Sequence, residues 1–418
     1  MFSIFKIFRI KTCDWWLMKI NEIHHFLFNK GLEGDCFWLL DVLLLLGGIE
    51  STWSSRWKGK QLVRYFTNAL FTFQTIVFIL QFHQAMIDKQ QNTASVVLQV
   101  IKLAAISVTI LKLVVLIVLT NSIALVKIFV SSSHVKSGND SFDKIEQMKL
   151  KQSSNIIMGV VYVLIIAETI FLSIPNKATE IAFSAPHALA WTNKYGSAIF
   201  QFLIISLLPI GTYPRFFSNI TTTAILLLGM RMKLKMLAHR YERMLKLCCL
   251  EDDYYYDCLR RELKVALKQH MEYWRNLRII KDLVGKMFFV VHYFAIFSIG
   301  ALFYISKDIG LNFMSLAIVG TILFMLQEYY VWCYLIDLFQ DEVASIGNII
   351  FELSSQIPYV GRRHSEYVQI KTSLMIISIN NGSGFKMSCC GLFRISTTGF
   401  VSLIDIVYSV LMFLINVG

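Results

Sequence analysis

The sequence is poor in charged residues and in proline. Only 16% of its 418 residues are Asp, Glu, Lys or Arg, and only five are proline. Soluble domains contain about a quarter charged residues, so this composition argues against a soluble cytosolic enzyme. A chain that is 56% hydrophobic is not a disordered chain either. The scarcity of proline favours long helices over a fold rich in loops.

Motifs of common enzymes and metal sites are also missing from the sequence. It contains no HExxH, no GxSxG, no phosphate-binding GxxxxGK motif and no pair of CxxC motifs. Cys248 adjoins Cys249 and Cys389 adjoins Cys390, whereas zinc ligands are separated along the chain. We therefore expect no catalytic residues, no metal site and no cofactor.

Long apolar runs dominate the sequence, whose mean hydropathy is +0.56. A helix needs about 20 mostly apolar residues to cross the roughly 30 Å of hydrocarbon in a bilayer. Seven runs predict an all-α membrane protein with seven transmembrane helices, at residues 65–87, 96–126, 152–174, 195–230, 287–306, 309–327 and 395–418. Two shorter runs, at residues 38–49 and 372–385, predict segments that enter the membrane only in part.

Lysine and arginine are distributed unevenly between the connections. Nine precede the first span and fourteen lie between the fourth and the fifth. The connections of the opposite side contain only Lys89, Lys177, Lys194 and Lys307. Because basic residues accumulate on the cytoplasmic side, the N-terminus is expected inside the cell and the C-terminus outside, opposite to a G-protein-coupled receptor. The net charge of +12 thus reflects membrane topology, and we expect no nucleic-acid partner.

Apolar residues continue at helical spacing beyond three of the spans. Spacings of three and four alternate over residues 230–248, 259–284 and 339–353, which predicts amphipathic helices that extend into the cytosol. These helices are expected to pack as an anchor bundle, and a remaining face would join subunits. Packing within one subunit explains the pattern equally well. The residues expected at the subunit anchor are His270, Tyr273, Leu277, Ile346 and Ile350.

The predicted organisation has six parts. They are a cytoplasmic and interfacial segment (1–64), transmembrane helices 1–4 (65–230), a cytosolic helical hairpin (231–286), transmembrane helices 5 and 6 (287–338), an anchor helix with the first half of helix 7 (339–390), and the second half of helix 7 (391–418).

Five charged side chains lie within the predicted spans, where a charge is costly and marks either a function or a buried partner. Lys102 is expected to extend outward to the membrane surface. Lys112 lies deeper, so it is expected to face a water-filled cavity or a carboxylate. Glu168 is expected to line an outer cavity or to lie at headgroup depth. Arg215 and Asp405 are candidates for an ion pair.

Three stretches resemble the insect odorant receptors. They are the TILKL sequence that starts at Thr109, the LKQHM sequence that starts at Leu267, and residues 389–396 followed by 400–409. The last stretch resembles the closing segment of that family, a Phe followed by apolar residues and Tyr-Ser. Gustatory receptors of the same superfamily end in Thr-Tyr, five apolar residues and Gln-Phe, of which only Tyr408 is matched. A gustatory receptor is therefore the alternative to an odorant receptor, and a G-protein-coupled receptor is a more distant one.

The resemblance implies a ligand-gated, non-selective cation channel, not an enzyme. Such channels are tetramers that include a shared co-receptor subunit and lie in the plasma membrane of sensory dendrites. Their partners are lipid and a small volatile ligand, which binds in the outer half of the bundle between the second, third, fourth and sixth helices. The seventh helices surround the pore.

This resemblance and the predicted topology together select the candidate site residues. The expected ligand-binding residues are Ile106, Thr109, Ile110, Tyr162, Ile165, Glu168, Thr169, Phe202, Ile205, Ser206, Ser315, Val319 and Ile322. The expected pore and gate residues are Leu411, Leu414, Ile415 and Asp405.

Overall fold

The structure is a computed structural model that describes residues 36–49, 59–87, 93–174, 177–186, 194–246, 252–309, 313–382 and 385–417. The helices of this part are α1 (Trp38–Leu46), α2 (Lys60–Ile87), α3 (Thr93–Val118), α4 (Thr120–Ser131), α5 (Asp140–Ser173), α6 (Lys177–Phe183), α7 (Lys194–Gly211), α8 (Tyr213–Lys246), α9 (Asp252–Ile309), α10 (Phe313–Gln356), α11 (His364–Gly382) and α12 (Thr397–Val417). A small hairpin of β1 (Ser388–Cys389) and β2 (Phe393–Arg394) precedes α12. The expected all-α architecture is confirmed.

The long apolar helices agree with the predicted spans. Six segments of the described chain are long and apolar enough to cross a membrane, and they are Lys60–Ile87, Leu98–Val118, Asp140–Ser173, Tyr195–Lys246, Tyr255–Tyr304 and Ile318–Gln356. Each overlaps one of the first six predicted spans. The seventh predicted span corresponds to α12, which is also apolar but is described over a shorter apolar stretch, Thr397–Phe413.

Two of the predicted spans are interrupted in the structure. The predicted fourth span breaks at Thr212, between α7 and α8. Pro214 explains this break, because proline has no N–H group to donate to the carbonyl of Ile210 and its ring would clash with that carbonyl. The predicted second span changes from α3 to α4 at Leu119, where backbone hydrogen bonds continue from Leu119 to Val115 at 3.0 Å. Backbone hydrogen bonds also join Thr212 to Leu208 and Phe216 to Thr212, each at 3.1 Å, so both interruptions are slight.

Helix α8 is the centre of the fold. It packs against α1, α3, α4, α5, α7, α9 and α10. Gly229 allows α4 to approach closely, because a Cβ atom there would lie 2.7 Å from Cγ1 of Val130. Beyond the apolar part of the bundle, α8 continues beside α9 and α10, and its seam residues Leu237, Tyr241 and Met244 are buried.

The extended parts of α8, α9 and α10 pack on one another within the chain. The five residues expected at the subunit anchor are all buried there, namely His270, Tyr273, Leu277, Ile346 and Ile350. His270 illustrates why: its Nε2 accepts a hydrogen bond from Nε1 of Trp274 at 2.6 Å, and its Nδ1 lies 3.4 Å from the hydroxyl of Tyr241. Since these side chains are already covered by their own chain, contacts between subunits would require other residues.

Polar contacts fix the start of α9 to the segment before α11. Arg363 donates hydrogen bonds to both carboxylate oxygens of Asp257, at 2.8 and 3.3 Å. This hydrogen bonding lowers the pKa of the Asp257 carboxyl group. The hydroxyl of Tyr256 donates to the carbonyl of Pro358. The far end of the bundle is thus closed by contacts between residues more than 100 positions apart.

The N-terminal end of α12 is held by α10. Asp337 accepts hydrogen bonds from the backbone N–H and the hydroxyl of Thr397, at 2.7 and 2.8 Å. A carboxylate at this end of a helix satisfies free N–H groups and favours the helix dipole. Gln340 of α10 accepts from the N–H of Met387 at 3.1 Å and donates to the carbonyl of Ile395. The hairpin and α12 therefore move with α10.

The two short apolar runs are helical. Helix α1, with only nine residues, is too short to cross a bilayer, and its Leu40 and Leu43 are buried against the bundle. The run at 372–385 forms the end of α11 as far as Gly382.

Two charged side chains of the predicted spans, Lys112 and Arg215, have polar partners inside the bundle. Lys112 of α3 forms an ion pair with Glu328 of α10, with 2.6 Å between Nζ and Oε1. Thus Lys112 faces a carboxylate, one of its two expected environments. Arg215 donates hydrogen bonds to Oδ1 of Asn68 at 2.7 Å and to the backbone carbonyl of Gly211, at the end of α7. Asp405 is exposed on α12. The expected pair of Arg215 with Asp405 is therefore not formed.

Replacing Lys112 with Met is expected to destabilise the protein strongly, because Glu328 would remain as an unpaired charge in an apolar setting. Loss of one partner of a buried ion pair costs about 3–5 kcal/mol. Thermal unfolding of the purified protein in detergent measures the effect as a lower Tm. Lys286→Met is the control, since the Lys286–Asp282 pair is exposed and such pairs contribute about 0–1 kcal/mol. Equal Tm values for the two variants would contradict this account of Lys112.

Candidate functional site

A cavity of about 440 Å³ lies among the helices, within the range of about 300–1,000 Å³ that small-molecule sites occupy. Its walls come from α2, α3, α5, α6, α7, α8, α9 and α10. The aromatic residues of the lining are Phe78, Phe183, Tyr213, Phe216, Phe294, Phe297 and Phe324. Its polar residues are Lys102, Thr109, Glu168, Thr212, Ser298 and Thr321, and the remainder carry alkyl or thioether side chains. The lining can therefore enclose an apolar molecule and offer it a few polar contacts.

Helical spacing explains how the walls are formed. Helix α9 contributes Phe294, Phe297, Ser298 and Ala301, which lie three or four positions apart and so share one face. Ser298 and Ala301 are small, and Ala104 and Ala105 of α3 are small as well. Where these short side chains face one another, the helices leave space that larger residues would fill.

Lys102 occupies the wall formed by α2, α3 and α6. Its Nζ donates hydrogen bonds to Oε1 of Gln81 and to the carbonyl of Ala182, and it lies 4.7 Å from the ring centroid of Phe78. The ammonium group thus donates a hydrogen bond to a carbonyl at the C-terminal end of α6 that has no partner within the helix, and positive charge is favourable at this end of a helix. The acceptors of Lys102 thus come from α2 and α6 of the chain itself.

Glu168 of α5 is the second charged residue of the cavity lining. It continues the buried face of α5, where Met158, Val161 and Ile165 precede it at spacings of three and four. In the described residues the Glu168 side chain has neither a hydrogen-bond donor nor an ion-pair partner, although it lines the cavity. Of its two expected positions, the structure places it at a cavity.

The fold has solved counterparts, although no protein-family model and no curated protein sequence matches the chain. The insect olfactory receptor OR5 from Machilis hrabei, solved in complex with eugenol, aligns with 93% of this chain and 100% of its own, with a TM-score of 0.63 and 13% identity. A second structure of that receptor aligns with 91% of this chain and 97% of its own, with a TM-score of 0.62 and 12% identity.

The chain has the fold of an insect olfactory receptor. The resemblance found in the sequence is confirmed at this level, because the alignment covers nearly the whole of both chains. At 13% identity the likeness concerns the arrangement of the helices, so the properties of the cavity depend on the residues of this chain.

Within this olfactory-receptor fold, the structure brings three of the expected ligand-binding residues to the cavity, namely Ile106, Thr109 and Glu168. The others lie outside its lining. Buried elsewhere in the bundle are Ile165, Ile205, Ser315 and Ile322. Half-buried are Tyr162, Thr169, Ser206 and Val319, and Ile110 and Phe202 are exposed. The rotation of each helix about its axis decides these positions, and the sequence did not determine that rotation for α7, where Phe202 is 63% exposed.

Sequence reasoning missed the contribution of α9. Phe294, Phe297 and Ala301 line the cavity, whereas the expected pocket used the second, third, fourth and sixth spans. The small residues Ser298 and Ala301, in register with two phenylalanines, are the signal in the sequence that would have indicated this face.

The expected pore residues lie on α12. Helix α12 packs against α9 and α10, whereas Val401, Ile404 and Tyr408 are exposed. Asp405 is also exposed, and Leu411 is half-buried. Leu414 and Ile415 continue the helix, but their side chains lie outside the described part of the structure.

Replacing Lys102 with Ala is expected to loosen α6. The carbonyl of Ala182 and the Gln81 side chain would lose a charged donor, which costs about 1.5–3 kcal/mol. Backbone hydrogen exchange over residues 177–183 should become about tenfold to a hundredfold faster. Lys144→Ala, at an exposed lysine of α5, is the control. Unchanged exchange in the Lys102 variant would show that this hydrogen bond does not hold α6.

Proposed function

We propose that the chain is an odorant receptor subunit of a ligand-gated, non-selective cation channel that small volatile molecules open. The observation that carries this proposal is the aromatic cavity inside a fold shared with an olfactory receptor solved with eugenol. The chain then has no enzymatic activity. It resides in the plasma membrane of sensory dendrites, with its N-terminus in the cytoplasm, and it forms a heteromeric tetramer with a co-receptor subunit.

The cavity favours recognition of apolar ligands with modest affinity. Apolar burial contributes about 25 cal/mol per Å², so a ligand that buries roughly 200 Å² would gain about 5 kcal/mol from this source. Association itself costs several kcal/mol. Thr109 and Thr212 add hydroxyl groups on the lining that select among ligands of similar shape.

Helix α9 connects the cavity to the proposed pore helix. Phe297 and Ala301 line the cavity, and Gly300, between them in the sequence, lies against α12. A Cβ atom on Gly300 would lie 2.8 Å from Cγ1 of Val410, so α9 and α12 are in close contact there. A ligand that displaces α9 would therefore displace α12. Rings of apolar side chains on the seventh helices close such a pore by dewetting, and a small rotation opens it.

Filling the cavity is expected to abolish or strongly reduce ligand-evoked current. Ala104 lines the cavity, so Ala104→Phe places a ring where the ligand would bind. Ala167 is exposed on α5, and Ala167→Phe adds the same volume outside the cavity. Whole-cell recording with the co-receptor should show a loss of response in the first variant and a normal response in the second. Equal responses at equal surface expression would remove the cavity from the account.

The proposed gate gives a separate prediction. Leu411→Ala and Ile415→Ala are expected to raise the resting leak or to alter ion selectivity, because smaller side chains weaken an apolar constriction. Patch-clamp recording of co-expressed subunits measures both properties. If currents are unchanged while surface expression is normal, these residues do not form the gate.

A gustatory receptor of the same superfamily and a G-protein-coupled receptor remain separable alternatives. A gustatory channel would respond to non-volatile tastants in the same recordings. A G-protein-coupled receptor would expose an N-terminal tag to antibody in intact cells and would produce no direct ionic current.

A further inference from the structure

The two charged residues of the cavity lining have different surroundings. Lys102 has hydrogen-bond acceptors in Gln81 and Ala182, and it lies near the rings of Phe78 and Phe183. Its ammonium group is thus already hydrogen-bonded to the wall that holds it. Glu168 has neither a hydrogen-bond donor nor an ion-pair partner among the described residues, whereas Lys112 is paired with Glu328 and Lys127 with Asp41. Glu168 is therefore the charged residue of the cavity lining that has neither a hydrogen-bond donor nor an opposite charge as a partner among the described residues.

A carboxylate in an apolar enclosure is unfavourable unless a cation or several hydrogen-bond donors accompany it. The lining offers few such groups, because apart from the two charged residues its side-chain hydroxyls belong to three threonines, one serine and Tyr213. It offers many aromatic rings, including Tyr213, Phe216 and Phe294. The faces of aromatic rings attract cations. A carboxylate that shares a cavity lining with several aromatic rings is a combination suited to an organic ammonium group.

We propose that the cavity binds a small apolar amine in its protonated form, with the ammonium group against the Glu168 carboxylate and the hydrocarbon part among the phenylalanine rings. This inference rests on the proposed function, and it names the chemical class of the ligand. Alkyl ammonium groups titrate near pH 10, so such amines are cations at neutral pH.

A matched pair of ligands tests the inference in the full chain with its co-receptor. The probes are 2-phenylethylamine and 2-phenylethanol, which have the same hydrocarbon body and differ in charge. In the Glu168→Gln variant, the concentration of amine that gives half-maximal current should rise at least tenfold, while that of the alcohol should stay within about threefold. Glu180→Gln, at an exposed carboxylate of α6, should change neither.

The alcohol response shows in the same cells whether the Glu168 variant is folded and present at the surface. An equal loss of both responses would overturn the inference, because it would make Glu168 a structural residue. A wild-type chain that responds to the alcohol and not to the amine would overturn it as well, and it would leave the channel function intact.

A binding measurement separates this inference from the channel proposal. A ligand that binds only the folded protein raises its Tm, and the shift grows with the ratio of ligand concentration to Kd. The amine should raise the Tm of the purified wild-type chain in detergent and, at the same concentration, should raise that of the Glu168→Gln variant much less. A shift without any evoked current would support the ligand class and contradict the channel. The absence of a shift in the wild type at millimolar amine would contradict the ligand class.

Discussion

The structure depends on the need to satisfy polar groups inside an apolar bundle. Neither lipid nor the packed interior offers water, so each buried charge requires a partner on another helix. Lys127 of α4 pairs with Asp41 of α1, and Lys112 of α3 pairs with Glu328 of α10. These contacts join helices that are distant in sequence. They fix the orientation of each helix more specifically than the apolar faces alone, because apolar contact has no preferred direction.

The position of the cavity follows from these contacts. Lys112 holds α3 to α10, and Lys102 holds α3 to α2 and α6. Between these points α3 carries Ala104 and Ala105, and α9 presents Ser298 and Ala301 opposite the aromatic residues. The cavity is thus a space between these contacts, at which α3 and α9 present small side chains. Glu168 is half-buried and faces this space without a hydrogen-bond or ion-pair partner in the described chain, unlike Lys102 and Lys112.

Much of the fold could be predicted from the sequence, because its main signals are local. Apolar length located the spans, and alternating spacings of three and four located the buried seams of α8, α9 and α10. The direction of individual side chains was harder to predict from the sequence. Lys102 has the sequence context of a residue near a span end, but its acceptors in Gln81 and Ala182 come from distant segments. The share of α9 in the cavity likewise depends on which face of that helix meets α3, which hydrophobicity does not specify.

For the proposed subunit contacts too, the sequence predicted which helix faces are buried but not which residues cover them. The spacing around His270 correctly indicated a buried helix face, but Tyr241 and Trp274 cover that residue within one chain. A spacing pattern states that a face is buried and does not state which chain buries it. The exposed side of α12, by contrast, has no cover among the described residues, in keeping with its proposed place at a pore formed by several chains.

Electron cryomicroscopy of the chain and its co-receptor with an activating volatile ligand tests the central claim most directly. The account predicts ligand density between α3, α5 and α9, next to Glu168, and α12 of each subunit around a common axis. Ligand density at another place with this cavity empty, or α12 facing lipid away from that axis, would contradict it.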